Sequence, residues 1–303
     1  LGWIIKMTIL VIQCRLGSTR LPGKALYTLK NKALISWTMD AMKKVEADEY
    51  YVATDEKSAD KLTPLVKNAG YELFIGSELD VLDRFCSLIE KTGSDIVIRV
   101  TGDNPFLFID AASMLLVEFK NRNCDYITWT GLPHGSGIEI FSGSALLTAR
   151  KETEDPYDHE HVGPALYNHQ DKFTSLFLPA PSQWNYPTLR ATIDTKDDYE
   201  KALRMSWYLD NADSLSSESI ISLAKKISVE KKIILCPSMK KGHGTGHLRR
   251  MLQVASHIPA YVFIPLTSDL EAGKQLINEY LEQKEIEPWQ IIDTLVSEKA
   301  DLV

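Results

Sequence analysis

The feature that most constrains this chain is its alternation of short β-branched runs with amphipathic stretches of helical period. A strand followed by a helix, repeated in this way, packs as a largely parallel sheet with helices on both faces. The pattern therefore predicts an α/β fold. The strand candidates are residues 8–13, 50–54, 71–75, 96–100, 126–129, 174–178 and 189–193.

Two places depart from the simple alternation. Residues 131–137 form a glycine-rich stretch before a short strand at 138–141, and an insertion of this kind is well placed to contact a substrate. After residue 228 a new cycle begins, with a strand at 233–236, a helix at 247–257 and a strand at 261–264. The sequence predicts a large domain at 1–228 and a small α/β unit at 229–303.

Composition excludes several classes of function. The formal net charge of -7 leaves no broad basic surface for a nucleic acid. No apolar run approaches the ~20 residues that a membrane span needs, and the first residues lack the layout of a signal peptide. The four cysteines are too scattered for a zinc site or a disulfide framework. We expect a reduced, cytosolic protein with no membrane and no nucleic-acid partner.

The segment after the first strand, residues 13–24, has the chemistry of a phosphate-binding loop. It combines glycines, which allow close backbone approach, with the cations Arg15, Arg20 and Lys24. Its spacing matches neither the Walker loop nor the dinucleotide fingerprint. Ligands of α/β sheets bind at the carboxyl ends of strands, which favours a phosphate site over the alternative of a solvated turn.

Carboxylates follow two later strand candidates. Asp103 comes after the strand at 96–100, and Asp194 comes after the one at 189–193. Mg²⁺ is commonly held by one or two carboxylates together with substrate phosphates and water. The pattern predicts a magnesium site, with two unrelated helix caps as the alternative. Asp197 and Asp198 are expected to begin the next helix.

The loop Q-x-R-x-G-S-T-R-L-P-G-K resembles the signature of the sugar cytidylyltransferases, a family that includes CMP-Kdo synthetase and the spore coat polysaccharide F proteins. The resemblance implies a Rossmann-like, GT-A-like nucleotidyltransferase fold. It also implies that Arg15 and Lys24 are catalytic, and that Gly17, Ser18 and Arg20 bind the nucleotide. Related guanylyl- and uridylyltransferases begin this loop with G-x-G-T-R instead.

The same resemblance extends to later motifs. It places Asp55 of V-A-T-D and Asp80 near the nucleotide, although either residue would also serve as an ordinary acid at a helix start. Asp103 and Asp194 match the metal aspartates of the family. The residues that it places at the substrate are Glu139, His161 and Arg190. His159 and His161 lie two residues apart on a helix and so face different ways, which leaves at most one of them at the site.

These features predict an enzyme that transfers a nucleoside monophosphate from a triphosphate to a sugar acid or sugar phosphate, with release of pyrophosphate. The resemblance alone favours CTP, and it implies a possible homodimer, since the relatives are often dimers. A glycosyltransferase is one alternative, but it would normally carry Asp-x-Asp where this chain has Asp103-Asn104-Pro105. A non-catalytic nucleotide-sugar binding module is the other, but it would not need both the cations and the paired aspartates.

The tail carries a resemblance of its own. Residues 235–250, with His243 and His247 in a glycine-rich stretch, resemble the opening of the UDP-sugar hydrolases of pseudaminic acid synthesis and their spore coat G relatives. Those proteins enclose their substrate between two Rossmann-like halves, and the tail is long enough only for the start of one. We expect a truncated or fused appendage without hydrolase activity of its own.

Overall fold

The structure, a computed structural model, describes residues 6–18, 20–30, 32–209, 216–229, 232–234, 246–255 and 261–263. The chain divides into two compact units, Leu1–Lys225 and Lys226–Val303.

A seven-stranded sheet forms the centre of the first unit, in the order β5-β4-β1-β6-β8-β7-β9. Neighbouring strands are parallel except at β8, which runs antiparallel to β6 and β7. A separate two-stranded hairpin is formed by β2 and β3, which the sequence pattern did not predict. The strands are β1 (Thr8–Gln13), β2 (Thr28–Leu29), β3 (Lys32–Ala33), β4 (Glu49–Thr54), β5 (Glu72–Ile75), β6 (Ile96–Thr101), β7 (Tyr126–Thr130), β8 (Glu139–Ser142) and β9 (Ser175–Pro179).

Helices cover both faces of this sheet, as predicted. Side chains alternate between faces along a strand, so Leu10 and Ile12 pack with α1, α2 and α4, whereas Ile9 and Val11 pack with α3, α5 and α7. The helices of this unit are α1 (Leu34–Met42), α2 (Glu56–Asn68), α3 (Val81–Thr92), α4 (Ile109–Asn121), α5 (Gly143–Glu152), α6 (Pro156–His161), α7 (Pro164–Tyr167) and α8 (Lys196–Trp207), and α9 (Ser217–Val229) runs across the boundary between the two units.

The strand order reverses at β1, which has β4 on one side and β6 on the other. The loops after β1 and β6 therefore leave the sheet together, and open α/β sheets bind ligands at such a point. The Gly102 N–H donates to the Gln13 carbonyl over 2.9 Å. A side chain at Gly102 would begin 3.1 Å from the Cys14 sulfur, so glycine allows the two loops to lie in contact.

The predicted strand at residues 189–193 is wrong. Only one isolated bridge forms there, between His134 and Arg190. Ala191 and Thr192 both donate their N–H groups to the His134 carbonyl, and a Cβ on Gly135 would lie 2.5 Å from the Thr192 nitrogen. The segment thus crosses the 131–137 loop at close range instead of joining the sheet.

In the second unit, β10 (Lys232–Ile234) and β11 (Tyr261–Phe263) are parallel, and α10 (Gly246–Ala255) lies between them in sequence. This matches the predicted strand, helix and strand. His243 and most of the glycine-rich stretch lie outside the described residues. Across the described part of both units, no helix is long and apolar enough to cross a membrane.

Candidate active site

The loop after β1 is held by its own backbone and by α2. Gly23 has a φ of 71°, a left-handed conformation that favours glycine, and its N–H donates to the Leu16 carbonyl over 2.9 Å. The Leu16 N–H donates to Ser58 Oγ over 3.0 Å, and that hydroxyl donates to Asp55 over 2.8 Å. Asp55 is buried and caps α2, so it supports the loop through Ser58.

Lys24 joins the two carboxylates that the sequence assigned to a metal. Its Nζ lies 2.5 Å from Asp103 Oδ2, 2.9 Å from Asp194 Oδ1 and 2.8 Å from the Ile193 carbonyl oxygen. Burial opposes the charge on Lys24, but the two carboxylates outweigh it and raise its pKa. Burial likewise works against ionised Asp194, but the bond from Lys24, helped by Arg20, lowers the pKa of this carboxyl.

The loop arginines are paired less tightly. Arg20 lies 3.3 Å from Asp194, and Arg15 lies 3.7 Å from Glu160 of α6. Arg15 and Glu160 keep 39% and 55% of their side-chain surface exposed. Exposed pairs of this kind contribute about 0–1 kcal/mol, so a stronger anion can displace Glu160 from Arg15.

Two adjoining clefts open at this edge of the sheet. The first, the loop cleft, has a volume of about 330 Å³ and is lined by Gly17, Ser18, Arg20 and Lys24 of the β1 loop. The second, the sheet cleft, has a volume of about 670 Å³ and is lined by Arg99, Trp129, Glu139 and His161 with the 131–137 loop. Both clefts are lined by the same side chains at their junction: Gln13, Arg15, Thr101, Asp103, Glu160 and Asp194.

A line of polar side chains crosses the floor of the sheet cleft. Arg99 of β6 stands opposite Glu139 of β8 and forms an ion pair with it through Nη1. Arg99 Nε donates to Gln13 Oε1 over 3.0 Å, and the Tyr126 hydroxyl donates to Glu139 Oε1 over 2.9 Å. Burial, reinforced by the Glu139 charge, raises the pKa of Tyr126, which keeps that hydroxyl a donor.

Helix α6 covers one side of the sheet cleft and separates its two histidines, as the two-residue spacing predicted. His161 lines the cleft with its ring 4.4 Å from that of Tyr157. His159 instead lies 2.7 Å from Asp80 and 3.1 Å from the Thr153 carbonyl oxygen. Asp80 also caps α3. Its carboxylate is thus engaged by α3 and α6, and Asp80 is not among the residues lining either cleft, in contrast to its predicted place near the nucleotide.

Two further predictions concern residues 190–198. Arg190 pairs with Asp198 over 3.1 Å and reaches Asp194 only over 3.5 Å, and it is not among the residues lining the two clefts. Its guanidinium is engaged by these two acids, and its contact with the substrate stays a prediction. Asp198 forms a capping box with Thr195, so it begins α8 as expected.

Several residues of the site were not predicted. Gln13 belongs to the loop motif and Arg99 lies four residues before Asp103, so both are part of motifs that the sequence had already indicated.

Nothing in the sequence indicated the conformation of Val162. It has a φ of 67° and is followed by a Gly163 N–H that donates back to the His161 carbonyl over 2.8 Å, which is a strained γ-turn at the end of α6.

The residues present fit a magnesium ion. Within the described residues, no group of three or more His, Cys, Asp or Glu is arranged to hold a metal. Asp103 Oδ1, however, is buried and has no hydrogen-bond partner in the described part of the chain. A buried carboxylate oxygen without a donor is costly unless a cation or water reaches it. Together with Asp194 it offers the hard oxygen ligands that Mg²⁺ takes.

Comparisons of the sequence with known proteins identify its family. The sequence profile of the cytidylyltransferases matches residues 9–233. The spore coat polysaccharide biosynthesis protein SpsF of Bacillus subtilis (strain 168) is 32% identical over 225 residues, which are 71% of this chain and 93% of that protein.

Solved structures are similar as well. A cytidylyltransferase from Leptospira borgpetersenii superposes with a TM-score of 0.68 and 27% identity, covering 74% of this chain and 96% of that one. A CMP:2-keto-3-deoxy-manno-octonic acid synthetase in complex with CTP shares the fold, with a TM-score of 0.51 and 20% identity over 65% of this chain and 97% of that one. The chain belongs to the cytidylyltransferase family and is a nucleotidyltransferase.

Proposed function

We propose that this enzyme transfers a cytidylyl group from CTP to a sugar in the synthesis of a surface polysaccharide or glycoconjugate. The observation that carries the proposal is the junction of the two clefts, where Lys24, Asp103 and Asp194 meet at the switch point of the sheet. The loop cleft suits the triphosphate, and the sheet cleft has room for an acceptor beside it.

In this reaction an acceptor oxygen forms a bond to the α-phosphorus, and the bond from that phosphorus to the oxygen that links it to the β-phosphorus breaks. Pyrophosphate leaves with that oxygen, and a hydroxyl acceptor releases its proton to solvent. Arg15, Arg20 and Lys24 stabilise the charge that moves onto the leaving pyrophosphate. Because Arg15 holds Glu160 only over 3.7 Å, exchanging it for a phosphate oxygen costs little. Gly17 has nothing within 4 Å of where a side chain would begin, which leaves its backbone open to the phosphates.

Asp103 and Asp194 would hold the divalent cation, for which we propose Mg²⁺. When bound, such an ion neutralises phosphate charge and fixes the phosphate oxygens. Lys24 keeps the two carboxylates together and balances their charge, so it prepares the site before substrate arrives. The chain thereby supplies positioning and charge, which dominate phosphoryl-type transfer.

Two comparisons support a sugar as the acceptor of the cytidylyl group. SpsF is named for spore coat polysaccharide biosynthesis, and a structure of the same fold is a synthetase for a CMP-linked sugar acid in complex with CTP. The sheet cleft offers hydroxyl-binding groups of both kinds, acceptors such as Glu139 and donors such as the ring N–H of His161. Polar groups of this sort read the hydroxyls of a sugar.

The test is a pyrophosphate-release assay with CTP, GTP, UTP and ATP against a panel of sugar acids, sugar phosphates and amino-sugar phosphates, with Mg²⁺. We expect release with CTP that depends on one acceptor class. A glycosyltransferase would instead release a nucleoside diphosphate from a nucleotide-sugar, and a binding module would release nothing. Either result would overturn the proposal.

The assignment of the transfer activity to one part of the chain is also a proposal. We infer that residues 1–228 carry the transfer and that 229–303 form an appendage without hydrolase activity. The full chain and residues 1–230 should release pyrophosphate at the same rate. A nucleotide-sugar hydrolysis that disappears on truncation, or in His247→Ala, would contradict it. We expect the enzyme to be a homodimer and to act in the cytosol. Analytical ultracentrifugation of the full chain tests whether it is a dimer.

A further inference from the structure

Arg99 connects a residue at the junction of the two clefts with a residue of the sheet cleft. Its guanidinium makes two contacts: Nε donates to Gln13 Oε1 over 3.0 Å, and Nη1 pairs with Glu139. Gln13 lines both clefts at their junction, whereas Glu139 lies on the floor of the sheet cleft. A planar, rigid fork of donors fixes the orientation of both partners at once.

The bond to Gln13 decides which way its amide faces. With the carbonyl oxygen engaged by Arg99, the NH₂ group is left on the other side of the amide, and it carries two donors. The Gln13 side chain lines the junction beside Arg15, Thr101 and Asp103. A donor held there can meet an oxygen of the α-phosphate, where negative charge rises during transfer.

The bond to Glu139 acts at the other end. Glu139 is also held by the Tyr126 hydroxyl over 2.9 Å, and a Cβ on Gly163 would lie 2.8 Å from Glu139 Oε1. The carboxylate is thus fixed on three sides by Arg99, Tyr126 and the Gly163 backbone. What remains accessible is its edge toward the sheet cleft, which can accept a hydrogen bond from an acceptor hydroxyl.

We propose that Arg99 is a positioning residue that aligns the acceptor with the α-phosphate, because one guanidinium orients both Gln13 at the junction and Glu139 on the cleft floor. This inference rests on the proposed function and adds to it a geometric link between the two substrates. It assigns no contact between Arg99 and either substrate.

The kinetic test replaces Arg99 with methionine in the full chain and measures steady-state pyrophosphate release with CTP, Mg²⁺ and the acceptor that gives the highest rate in the panel above. Loss of alignment should lower kcat by about 10- to 100-fold and raise the acceptor KM, with the CTP KM changed less than about twofold. Arg150→Met is the matched control, because Arg150 also joins two carboxylates, Asp83 and Glu90, and is not among the residues lining the clefts.

Arg99→Lys separates positioning from mere charge balance. Lysine keeps a cation beside Glu139 but lacks the planar fork of donors that reaches Gln13 and Glu139 together. We expect this variant to keep a melting temperature near that of the wild type and to remain slow, with a raised acceptor KM. If kcat and the acceptor KM recover together with the melting temperature, Arg99 only neutralises a charge and the proposal is overturned.

A third measurement needs no catalysis, so it distinguishes failure of this inference from failure of the proposed function. The side-chain NH₂ resonances of Gln13, assigned with Gln13→Glu, should show the ¹⁵N relaxation of a fixed group in the wild type and of a mobile one in Arg99→Met. Equal rigidity in both proteins would overturn the inference even for an active enzyme. Fixed Gln13 in a chain that releases no pyrophosphate would instead sink the proposed function alone.

Discussion

The loop cleft and the sheet cleft are built in different ways. The cations of the loop cleft all come from one contiguous segment, residues 13–24, and Lys24 of this segment forms ion pairs with Asp103 and Asp194. The sheet cleft is assembled from β6, β8, the 131–137 loop and α6, and its floor carries the cross-strand pair of Arg99 and Glu139. One cleft is set mainly by local sequence and the other by tertiary packing.

This difference matches what each cleft has to recognise. A triphosphate presents the same charges to every enzyme that uses it, and a short loop of glycine and basic residues is enough to bind and neutralise them. An acceptor sugar differs from one enzyme to another, and its hydroxyls have to be read by side chains from several elements. Changes in the loop cleft should therefore abolish chemistry, and changes in the sheet cleft that do not reach the junction should mainly shift the acceptor KM.

The largest effect is expected at the two shared aspartates. Asp103→Asn and Asp194→Asn each replace a carboxylate at the junction with a neutral amide, which should cost several kcal/mol of transition-state stabilisation and lower kcat by about 10³-fold or more. Pyrophosphate release at saturating Mg²⁺ measures it. Asp197→Asn is the matched control, since Asp197 is exposed in the first turn of α8. Near wild-type rates in either aspartate variant would sink the assignment of the junction.

Lys24→Met should come next. Methionine keeps most of the length of the side chain but leaves Asp103 and Asp194 without the cation that they share. We expect kcat to fall by about 100-fold and the CTP KM to rise, because the lost charge acts on both the bound and the reacting phosphates. A variant with unchanged kcat and CTP KM would make Lys24 a purely structural tie. Urea unfolding of the same variant shows how much stability that tie supplies.

Gly163→Ala tests the sheet cleft without touching any charge. Gly163 has helical φ and ψ angles, so alanine fits the backbone, but its Cβ would lie 2.8 Å from Glu139 Oε1 and from the Tyr167 ring. Displacing Glu139 should raise the acceptor KM by about tenfold and leave the CTP KM unchanged. Gly246→Ala is the control, because it adds the same methyl group in α10, where its Cβ would meet only Arg250 at 3.7 Å, and Gly246 is not among the residues lining the clefts. An effect on CTP as large as that on the acceptor would remove the distinction between the clefts.

The sequence predicted the parts of this molecule that depend on local pattern. Alternation located β1, β4 and β6, and the contiguous loop motif placed Arg15 and Lys24 at the cleft that follows β1, since periodicity and glycine chemistry act over a few residues. The strand at 189–193 failed because its neighbour in space is the 131–137 loop, which only the fold brings near.

Asp55, Asp80 and Arg190 show the limit of reasoning from motifs alone. Asp55 and Asp80 turned out to be helix caps, a role that was the local alternative from the start, and Arg190 is taken up by Asp198. The pairing of Arg99 with Gln13 and Glu139 depends on strand register, since β8 runs antiparallel beside β6. Nothing in the sequence near Val162 signals its turn, because tertiary contacts impose that conformation.

The smallest effect is expected at His159, which anchors α6 to α3 and so lies behind the sheet cleft. Its two ring nitrogens face acceptors, Asp80 and the Thr153 carbonyl, so only the doubly protonated ring satisfies both. Burial opposes that charge, but the Thr153 and Asp80 bonds, with Asp158 nearby, outweigh it and raise the pKa above the ordinary value of 6.5. The stabilisation is therefore fully present below pH 6.5 and is lost as the pH rises through the folded-state pKa.

His159→Gln should thus lower the free energy of unfolding by less than about 1 kcal/mol at pH 5.5, and by less still at pH 8.5, because the pair is partly exposed. Urea unfolding at both pH values measures this difference. In a protein that already carries Asp80→Asn, His159→Gln should show little of this pH dependence. Because α6 carries His161, the acceptor KM should rise by no more than about twofold while the CTP KM stays constant. A loss of stability that grows with pH would reverse the sign and place the neutral imidazole, not the cation, in this contact.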